Sequence, residues 1–588
     1  MTLLRKILDL LSPKEKRRGL LVLAMVVVMA LLETIGVASV MPFLTVLGNP
    51  EAVETNPYLN AAYTTLGFES TDAFLMALGV AAFGLVIFAA AFRILTIYVM
   101  NRFAEMRRHS VGERLLETYL RQPYEFFLNR HSGDMAKSIL SEVGQLVQNV
   151  FRPGFEAIAY GVVGIAIITM LVAIDPILAL GVGTVIGGAY AIIFLSVKGI
   201  LSRIGKDRAH ANRERFTAAG EALGGIKDIK LLGREYAYLS RFRPSSRRFA
   251  KHQATNRTLS QAPKYLIESI GVGGILGLSM ILMATGDGLG SVLPILGLYA
   301  FAGYKLLPAA QRMYAGASKL RFGAAAVHEI HDDLLRRQGT EEIQKSTANP
   351  WMPSRNIELR EFVFHYPNTK TPALDGVSLD IPAGSSLGIV GGTGAGKTTL
   401  VDLILGLLRP TGGVILVDDE PITASNLRSW QKTIGYVPQE IFLTDATVAE
   451  NIALGVPKEQ IQHARVEESA RLAQIHDFVI DELPHQYDSL VGERGVRISG
   501  GQRQRIGIAR ALYHDPSILV FDEATSALDS ETESAVIQSI ENLYGLKTIL
   551  MIAHRTATVK KCSKVVRISG GRCFDEPNSG SDNKRVTM

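Results

Sequence analysis

Residues Gly391-Gly392-Thr393-Gly394-Ala395-Gly396-Lys397-Thr398 follow the pattern G-x-x-x-x-G-K-[ST]. Small residues there let successive backbone N–H groups turn inward around phosphate oxygens, the Lys397 ammonium faces the terminal phosphates, and the Thr398 hydroxyl offers an oxygen to Mg²⁺. Further on, Ser517 to Glu523 is an apolar run that ends in two adjacent acids. Asp522 can hold Mg²⁺ through water, and Glu523 can polarise a water for attack on the terminal phosphate. Together these groups could bind and hydrolyse a nucleoside triphosphate.

Such chemistry needs a strand before the phosphate loop and a helix after it. Ser386 to Val390 reads as that strand, Leu400 to Leu408 as the apolar helix, and Ser517 to Phe521 as a second buried strand. The soluble α/β pattern sets in at about Ala348 to Pro353, after the charged helical run Val327 to Ser346. We expect residues 1–345 to form a transmembrane domain and 346–575 a nucleotide-binding domain, with 576–588 a polar tail lacking fixed structure.

The first domain reads as membrane-embedded. Across 588 residues only 20% are charged while 47% are hydrophobic, and the net charge of +6 comes from basic residues clustered beside apolar runs, which points to membrane topology rather than nucleic acid. Six spans are predicted: Leu20 to Leu47, Ala73 to Met100, Ala157 to Ile174, Ile177 to Val197, Leu266 to Ala284 and Val292 to Leu307. The first is too long for a signal peptide and lacks a small-residue cleavage pattern. Residues 48–72 contain no Lys or Arg, whereas 101–153 and 198–264 are crowded with them, so both termini and both long connectors are predicted to be cytoplasmic. Leu59, Tyr63 and Leu66 recur at helical spacing in the outer loop, as a membrane-surface helix would or a solvated loop with packed apolar residues. Gln122 to Phe127 and Gly233 to Tyr238 each read either as a short cytoplasmic helix that docks on a partner domain or as helix ends plus a turn. The two cysteines, Cys562 and Cys573, suggest ordinary packing and a reducing compartment.

Ile498-Ser499-Gly500-Gly501-Gln502, lying shortly before the acidic strand, resembles the signature of ATP-binding cassette (ABC) proteins. Gln439 in Tyr436-Val437-Pro438-Gln439 is similar to that family's Q-loop residue, Ser526-Ala527-Leu528-Asp529 to its D-loop, His554 to its switch histidine and Tyr366 to the aromatic that stacks on adenine. Val491-Gly492-Glu493-Arg494-Gly495 resembles the exporter-type contact to the membrane helices. The resemblance implies a six-span α-helical transmembrane domain followed by an α/β P-loop ATPase cassette. It implies ATP and Mg²⁺ as cofactors and Glu523, His554 and Lys397 as catalytic residues. The ATP-binding set would be Tyr366, the phosphate loop with Thr399, Gln439, Ser499, Gly500, Gly501, Gln502 and Asp522, and the Mg²⁺ set Thr398, Gln439 and Asp522. In the family the signature closes over ATP held by a second cassette. One cassette and six spans per chain therefore imply two copies, most simply a homodimer in the bilayer.

Charged residues inside spans are expensive and usually line a cavity. Arg93, Glu33, Glu268 and Lys305 are of this kind, with internal pairing of Glu33 and Arg93 as the competing reading. Leu32 to Phe43 and Tyr304 to Pro308 resemble the corresponding segments of bacterial flippases for lipid-linked oligosaccharides. That resemblance implies a cavity with Arg93, Lys264 and Lys305 facing a lipid pyrophosphate, in an inner-membrane protein that moves a lipid-linked saccharide outward. A multidrug or lipid A-type exporter with a mainly apolar cavity is the alternative. Nucleic-acid partners are not expected, and the absence of Cys before Cys562 disfavours a peptide exporter with a leader peptidase.

Overall fold

The computed structural model describes the whole chain except residues 1, 129, 131, 175, 285–288, 336–348, 368, 493–494, 496, 525–529, 554–558 and 577–588, and some helix side chains, Lys305 among them, are also outside it. Two compact units result. Met1–Gln122 with Phe126–Glu341 form the first, and Pro123–Glu125 with Glu342–Met588 the second.

The first unit is helical. Its long helices are α1 (Pro13–Ala38), α2 (Thr71–Leu120), α3 (Arg152–Ile174), α4 (Pro176–Gly224), α5 (Glu235–Ala284) and α6 (Leu289–Leu335). Helices α2, α4, α5 and α6 contain 50, 49, 50 and 47 residues. At ~1.5 Å per residue each is about 70 Å long, more than twice the ~30 Å hydrocarbon core, so all four continue past any bilayer. Among the described residues four stretches are long and apolar enough to cross a membrane: Pro13–Gly48, Thr71–Leu120, Gly133–Ala173 and Gly187–Gly224. The fifth and sixth predicted spans fall on α5 and α6, partly outside the described residues.

Four details differ from, or sharpen, the sequence reading. The run Leu20 to Leu47 is not one helix: α1 stops at Ala38 and a second helix covers Val40–Gly48. Pro42 has no N–H for the Ala38 carbonyl and its ring crowds that carbonyl, so the helix breaks there. Gly233 to Tyr238 is not a separate helix either. The short helix is Ile226–Leu231, and Gly233, at φ 61°, turns the chain into α5. In the loop 48–72 a helix does form, Pro57–Thr65, capped by Asn56, whose side chain accepts from Tyr58 N at 3.0 Å. Its Leu59 is buried with Val46, Val53 and Phe74, and Tyr63 packs on the same cluster, so that apolar side faces protein. The short helix expected near Gln122 to Phe127 is Tyr124–Leu128.

Packing in this unit is close. Val26, Met29 and Ala30 of α1 meet Ala159, Tyr160, Val163 and Ile167 of α3. A Cβ on Gly205 of α4 would sit 2.3 Å from the Phe322 carbonyl oxygen of α6, so only glycine permits that approach. Nearby, Arg208 of α4 forms a two-pronged pair with Glu142 at 3.1 and 2.9 Å, both side chains fully buried, and Asn212 adds a third bond at 2.8 Å. A buried pair of this kind is tolerable because the two terminal nitrogens of the guanidinium fit the two carboxylate oxygens, even though Arg208 Nε finds no partner among the described residues.

The second unit holds ten strands among the described residues: β1 (Asn356–Phe364), β2 (Leu374–Pro382), β3 (Ser386–Gly391), β4 (Gly412–Val417), β5 (Glu420–Pro421), β6 (Ile434–Val437), β7 (Ile518–Asp522), β8 (Thr548–Ile552), β9 (Lys564–Ser569) and β10 (Arg572–Glu576). They build an antiparallel sheet β2-β1-β4-β5 and a six-stranded sheet β10-β9-β3-β8-β7-β6. In the larger sheet only β10 runs antiparallel to its neighbour. Strands β7 and β8 are buried along their whole length. Their alternate residues go to opposite cores: Leu519, Phe521, Ile549 and Met551 to one, Ile518, Val520, Leu550 and Ile552 to the other. That is why both strands read as unbroken apolar runs. Helix α7 (Lys397–Ile404) closes the second core with Leu400, Val401, Leu403 and Ile404.

Candidate nucleotide site

Parallel strands place their C-terminal ends on one edge of a sheet, where ligands of such sheets bind. Here Ile389 of β3 pairs with Ile552 of β8, and Ile552 pairs with Asp522 of β7. Two strand spacings of ~4.8 Å therefore set the acidic end of β7 about 10 Å across the sheet from the strand that feeds the phosphate loop. The sequence motifs, 125 positions apart in Lys397 and Asp522, become neighbours by topology.

The phosphate loop leads directly into α7. Gly396 sits at φ 107°, and a Cβ on it would lie 2.7 Å from the Ala373 carbonyl oxygen, so the loop requires glycine there. Lys397 is buried, and its ammonium donates to the Gly391 and Gly392 carbonyls at 2.8 and 3.1 Å. It is thus held over the loop. Thr398 and Thr399 occupy the first turn of α7, where the helix dipole favours negative charge. Tyr366 shares a hydrogen bond of 3.0 Å with the Thr399 hydroxyl, and its ring stands edge-on to Phe364 with centroids 5.0 Å apart. The aromatic and the loop helix are therefore in contact.

At the end of β7, Asp522 is buried, and the Tyr436 hydroxyl donates to its Oδ2 at 3.5 Å. Burial, then the neighbouring charge of Glu523, pushes the Asp522 carboxyl up, against the opposing pull of Tyr436 and Lys397. Asp402 of α7, singled out by no motif, is also buried; burial and the charge of Asp522 raise its carboxyl to about 6. Sequence reading missed it, although a lone acid in the apolar face of the loop helix was the available signal. Glu523 takes a positive φ of 52°, unusual for a residue with a side chain. Its N–H donates to the Ile552 carbonyl at 3.1 Å, and its carboxylate Oε2 accepts from Gln439 Nε2 at 2.9 Å. The backbone bond and the amide together fix where this carboxylate points.

The signature residues are ordered differently. Ser499 caps α8 (Gly500–Leu512): its hydroxyl accepts from Gln502 N at 3.2 Å while Ser499 N donates to the Gln502 side chain at 2.7 Å. This reciprocal capping box was legible as Ser-x-x-Gln. Gly500 and Gly501 form the first turn. Among the described residues no hydrogen bond joins 499–502 to the phosphate loop. His554 and the stretch 526–529 lie outside the described residues, as do Glu493 and Arg494.

In the helical unit the charged candidates fare unevenly. Arg93 pairs with Glu33 at 3.1 Å, the pairing weighed above, and also donates to the Tyr160 hydroxyl at 3.2 Å. Arg312 of α6, not singled out from sequence, donates to the same hydroxyl and lies over the Tyr160 ring, 4.5 Å from its centroid. Lys264 pairs with Glu268 one turn on, at 3.6 Å. Lys305 stands on α6 with its side chain outside the described residues.

A phosphate loop beside a paired-acid strand, preceded in the chain by a unit of membrane-length helices, defines a P-loop ATPase coupled to a membrane domain. The comparisons give the same class at finer grain. The family model for the ABC transporter transmembrane region matches residues 18–287, and the ABC transporter model matches 374–526. The chain is 30% identical over 498 residues, 82% of its length and 79% of the relative's, to the ATP-dependent lipid A-core flippase of Saccharophagus degradans. It is also 30% identical over 503 residues, 82% of this chain and 78% of the other, to the heterocyst differentiation ATP-binding protein HepA of Nostoc. A solved bacterial Atm1-family ABC exporter with ATP bound shares the fold, with a TM-score of 0.74, 24% identity, and coverage of 95% and 94% of the two chains. This chain belongs to the ABC transporter family, with an exporter-type fold. It is a multi-pass membrane protein whose ATPase is coupled to transport.

Proposed function

We propose that two copies of this chain form a homodimer in the bacterial inner membrane that uses ATP to move an anionic, polyprenyl-pyrophosphate-linked saccharide or a similar glycolipid outward, with both termini cytoplasmic. The observation that carries the anionic reading is the cluster on Tyr160: two guanidiniums, Arg93 and Arg312, meet one hydroxyl, with Glu33 the carboxylate paired to Arg93. Excess positive charge among apolar helices is costly and suits a negatively charged head group. The residue sets 1–345, 346–575 and 576–588 remain the proposed division into membrane domain, cassette and tail.

In the cassette, Lys397 and the loop N–H groups bind the triphosphate, Tyr366 receives the adenine, and Glu523, oriented by Gln439, accepts a proton from the attacking water. His554 contacts the terminal phosphate. The oxygen donors of Thr398, Gln439 and Asp522 fit Mg²⁺, and a cation beside buried Asp522 would favour its ionised form. Bound there, Mg²⁺ would offset the negative charge of the phosphates. The capped helix N-terminus at Ser499 and Gly500, which makes no bond to its own phosphate loop among the described residues, is the surface offered to the partner copy's ATP.

A second reading, export of a lipid A-type molecule, is favoured by the name of the Saccharophagus relative. Reconstitution in vesicles with fluorescent lipid-linked sugars separates the two. ATP-dependent loss of label from the cassette-side leaflet supports the first. Movement of lipid A alone selects the second, and ATPase stimulation by hydrophobic drugs but not by polyprenyl pyrophosphates rejects both.

A further inference from the structure

We propose that Arg510 is a positioning residue for ATP hydrolysis: from helix α8 it fixes the loop that carries Gln439, and through Gln439 the direction of the Glu523 carboxylate. The proposal rests on the reading of Glu523 as general base given above and adds to it the group that holds the partner of that base in place.

The loop needs an anchor. Residues 438–446, between β6 and the helix Val448–Ile452, belong to no helix or strand, so side chains from elsewhere must supply the bonds that a ladder or a helical turn would make. Arg510 supplies the first: its Nη1 donates to the Phe442 carbonyl at 2.9 Å. Its Nε donates to the Asn451 carbonyl at 2.9 Å and its Nη2 to the Asn451 amide oxygen at 3.5 Å. Asn451, fully buried, extends the hold, since its Oδ1 accepts from Thr444 N at 3.0 Å and its Nδ2 donates to the Thr444 carbonyl at 3.1 Å. One guanidinium and one amide thus fasten the loop at Phe442 and Thr444, a few residues after Gln439. No carboxylate offsets the burial of Arg510 among the described residues. A cation whose fork goes entirely to neutral oxygens is suited to holding backbone in place rather than to ion pairing.

Gly507 gives a second, independent contact. It stands three residues before Arg510, on the same face of α8, where glycine is a poorer helix former than alanine. A Cβ there would lie 2.4 Å from Ile441 Cδ1, so the glycine lets α8 close on the loop. Gln504, earlier in the helix, reaches the Glu523 carbonyl oxygen at 3.5 Å. Helix α8 therefore touches both sides of the 2.9 Å bond between Gln439 Nε2 and Glu523 Oε2: the loop that carries the amide and the residue that carries the carboxylate. A loop released from α8 would take the amide away from the base, and a base that is misdirected is slow even where ATP binds normally.

The test is steady-state ATPase of the full-length protein in lipid nanodiscs. Arg510→Lys keeps the charge and loses the fork, so it should lower kcat about tenfold and leave KM for ATP within about twofold, because Lys397 and Tyr366 are not disturbed. Gly507→Ala should lower kcat in the same way by pressing on Ile441, and Ile441→Ala combined with it should restore the rate. The deciding measurement is the cycle with Gln439→Ala: once that amide is gone, Arg510→Lys should lower kcat no further. An arginine that only supports the fold would multiply its loss with that of Gln439→Ala, and that result overturns the proposal, as does wild-type kcat in Arg510→Lys. If Arg510→Lys does not fold, Gly507→Ala takes its place in the cycle with the same two outcomes. Full turnover by Glu523→Gln with a non-additive cycle rejects the base reading and keeps the link from Arg510 to Gln439; an inactive Glu523→Gln with an additive cycle does the reverse.

Discussion

The Gln439 side-chain amide donates to the Glu523 carboxylate at 2.9 Å, joining the end of β6 to the end of β7 on the edge of the sheet where the phosphate loop begins. Gln439 was expected to face Mg²⁺ and ATP, so this bond makes it a direct link between the loop after β6 and the proposed general base. Glu523→Gln should lower ATPase by about 10²- to 10⁴-fold and retain ATP in a closed dimer, read by phosphate release and by nucleotide recovered after gel filtration. Gln439→Ala, which removes this bond without neutralising the carboxylate, should lower the rate less. Full turnover by Glu523→Gln would contradict the base assignment.

Arg208 and Glu142 are buried without exposure and bonded at two points. Removing one partner strands a charge in a low-dielectric site, so Glu142→Leu should destabilise the helical unit by about 3–5 kcal/mol. The double replacement Glu142→Leu with Arg208→Met should cost less than that single change, because no charge is left unpaired. Thermal unfolding of the four members of the cycle in detergent measures the difference.

Reversing Arg93 sets a carboxylate against Glu33, at a contact that is now an ion pair of 3.1 Å. Transport of lipid-linked saccharide by Arg93→Glu should be abolished when flipping is normalised to ATP hydrolysed. Wild-type flipping in that variant would remove Arg93 from the transport path.

Asp418 accepts from the N–H groups of Ser354, Arg355 and Asn356 and from the Ser354 hydroxyl. Burial raises its carboxyl, but these bonds together outweigh that and hold it at about 2, below its ordinary 3.8. A depressed carboxyl contributes stability that is present above its unfolded pKa and lost as pH falls through its folded one. The stability gap between wild type and Asp418→Ala should therefore be steady above about pH 5 and close between about pH 4 and 2. The only two tryptophans, Trp351 and Trp430, both lie in the cassette, so intrinsic fluorescence reads this unit in the full chain.

What could be read from sequence was what local pattern encodes. The phosphate loop, the buried acid strand and the charge-rich connectors each depend on residues close in the chain, and the strand before Gly391, the helix after it and the long helices appear as expected. Relations across the fold were less visible. Nothing near Arg312 in sequence announces Tyr160, 152 positions earlier, and nothing beside Asp402 announces Asp522. Pro42 did carry a signal, since a proline inside an apolar run breaks a helix four residues back, but span length outweighed it. The capping role of Ser499 and Gln502 was equally local and was hidden by their likeness to a signature motif.

The account turns on a nucleotide site completed by a second copy, and the direct measurement is ATPase rate against molecular mass by light scattering in detergent across a dilution series. Activity should follow the species of twice the chain mass and vanish with it. A species of single-chain mass that hydrolyses ATP at the undiluted rate would contradict the account.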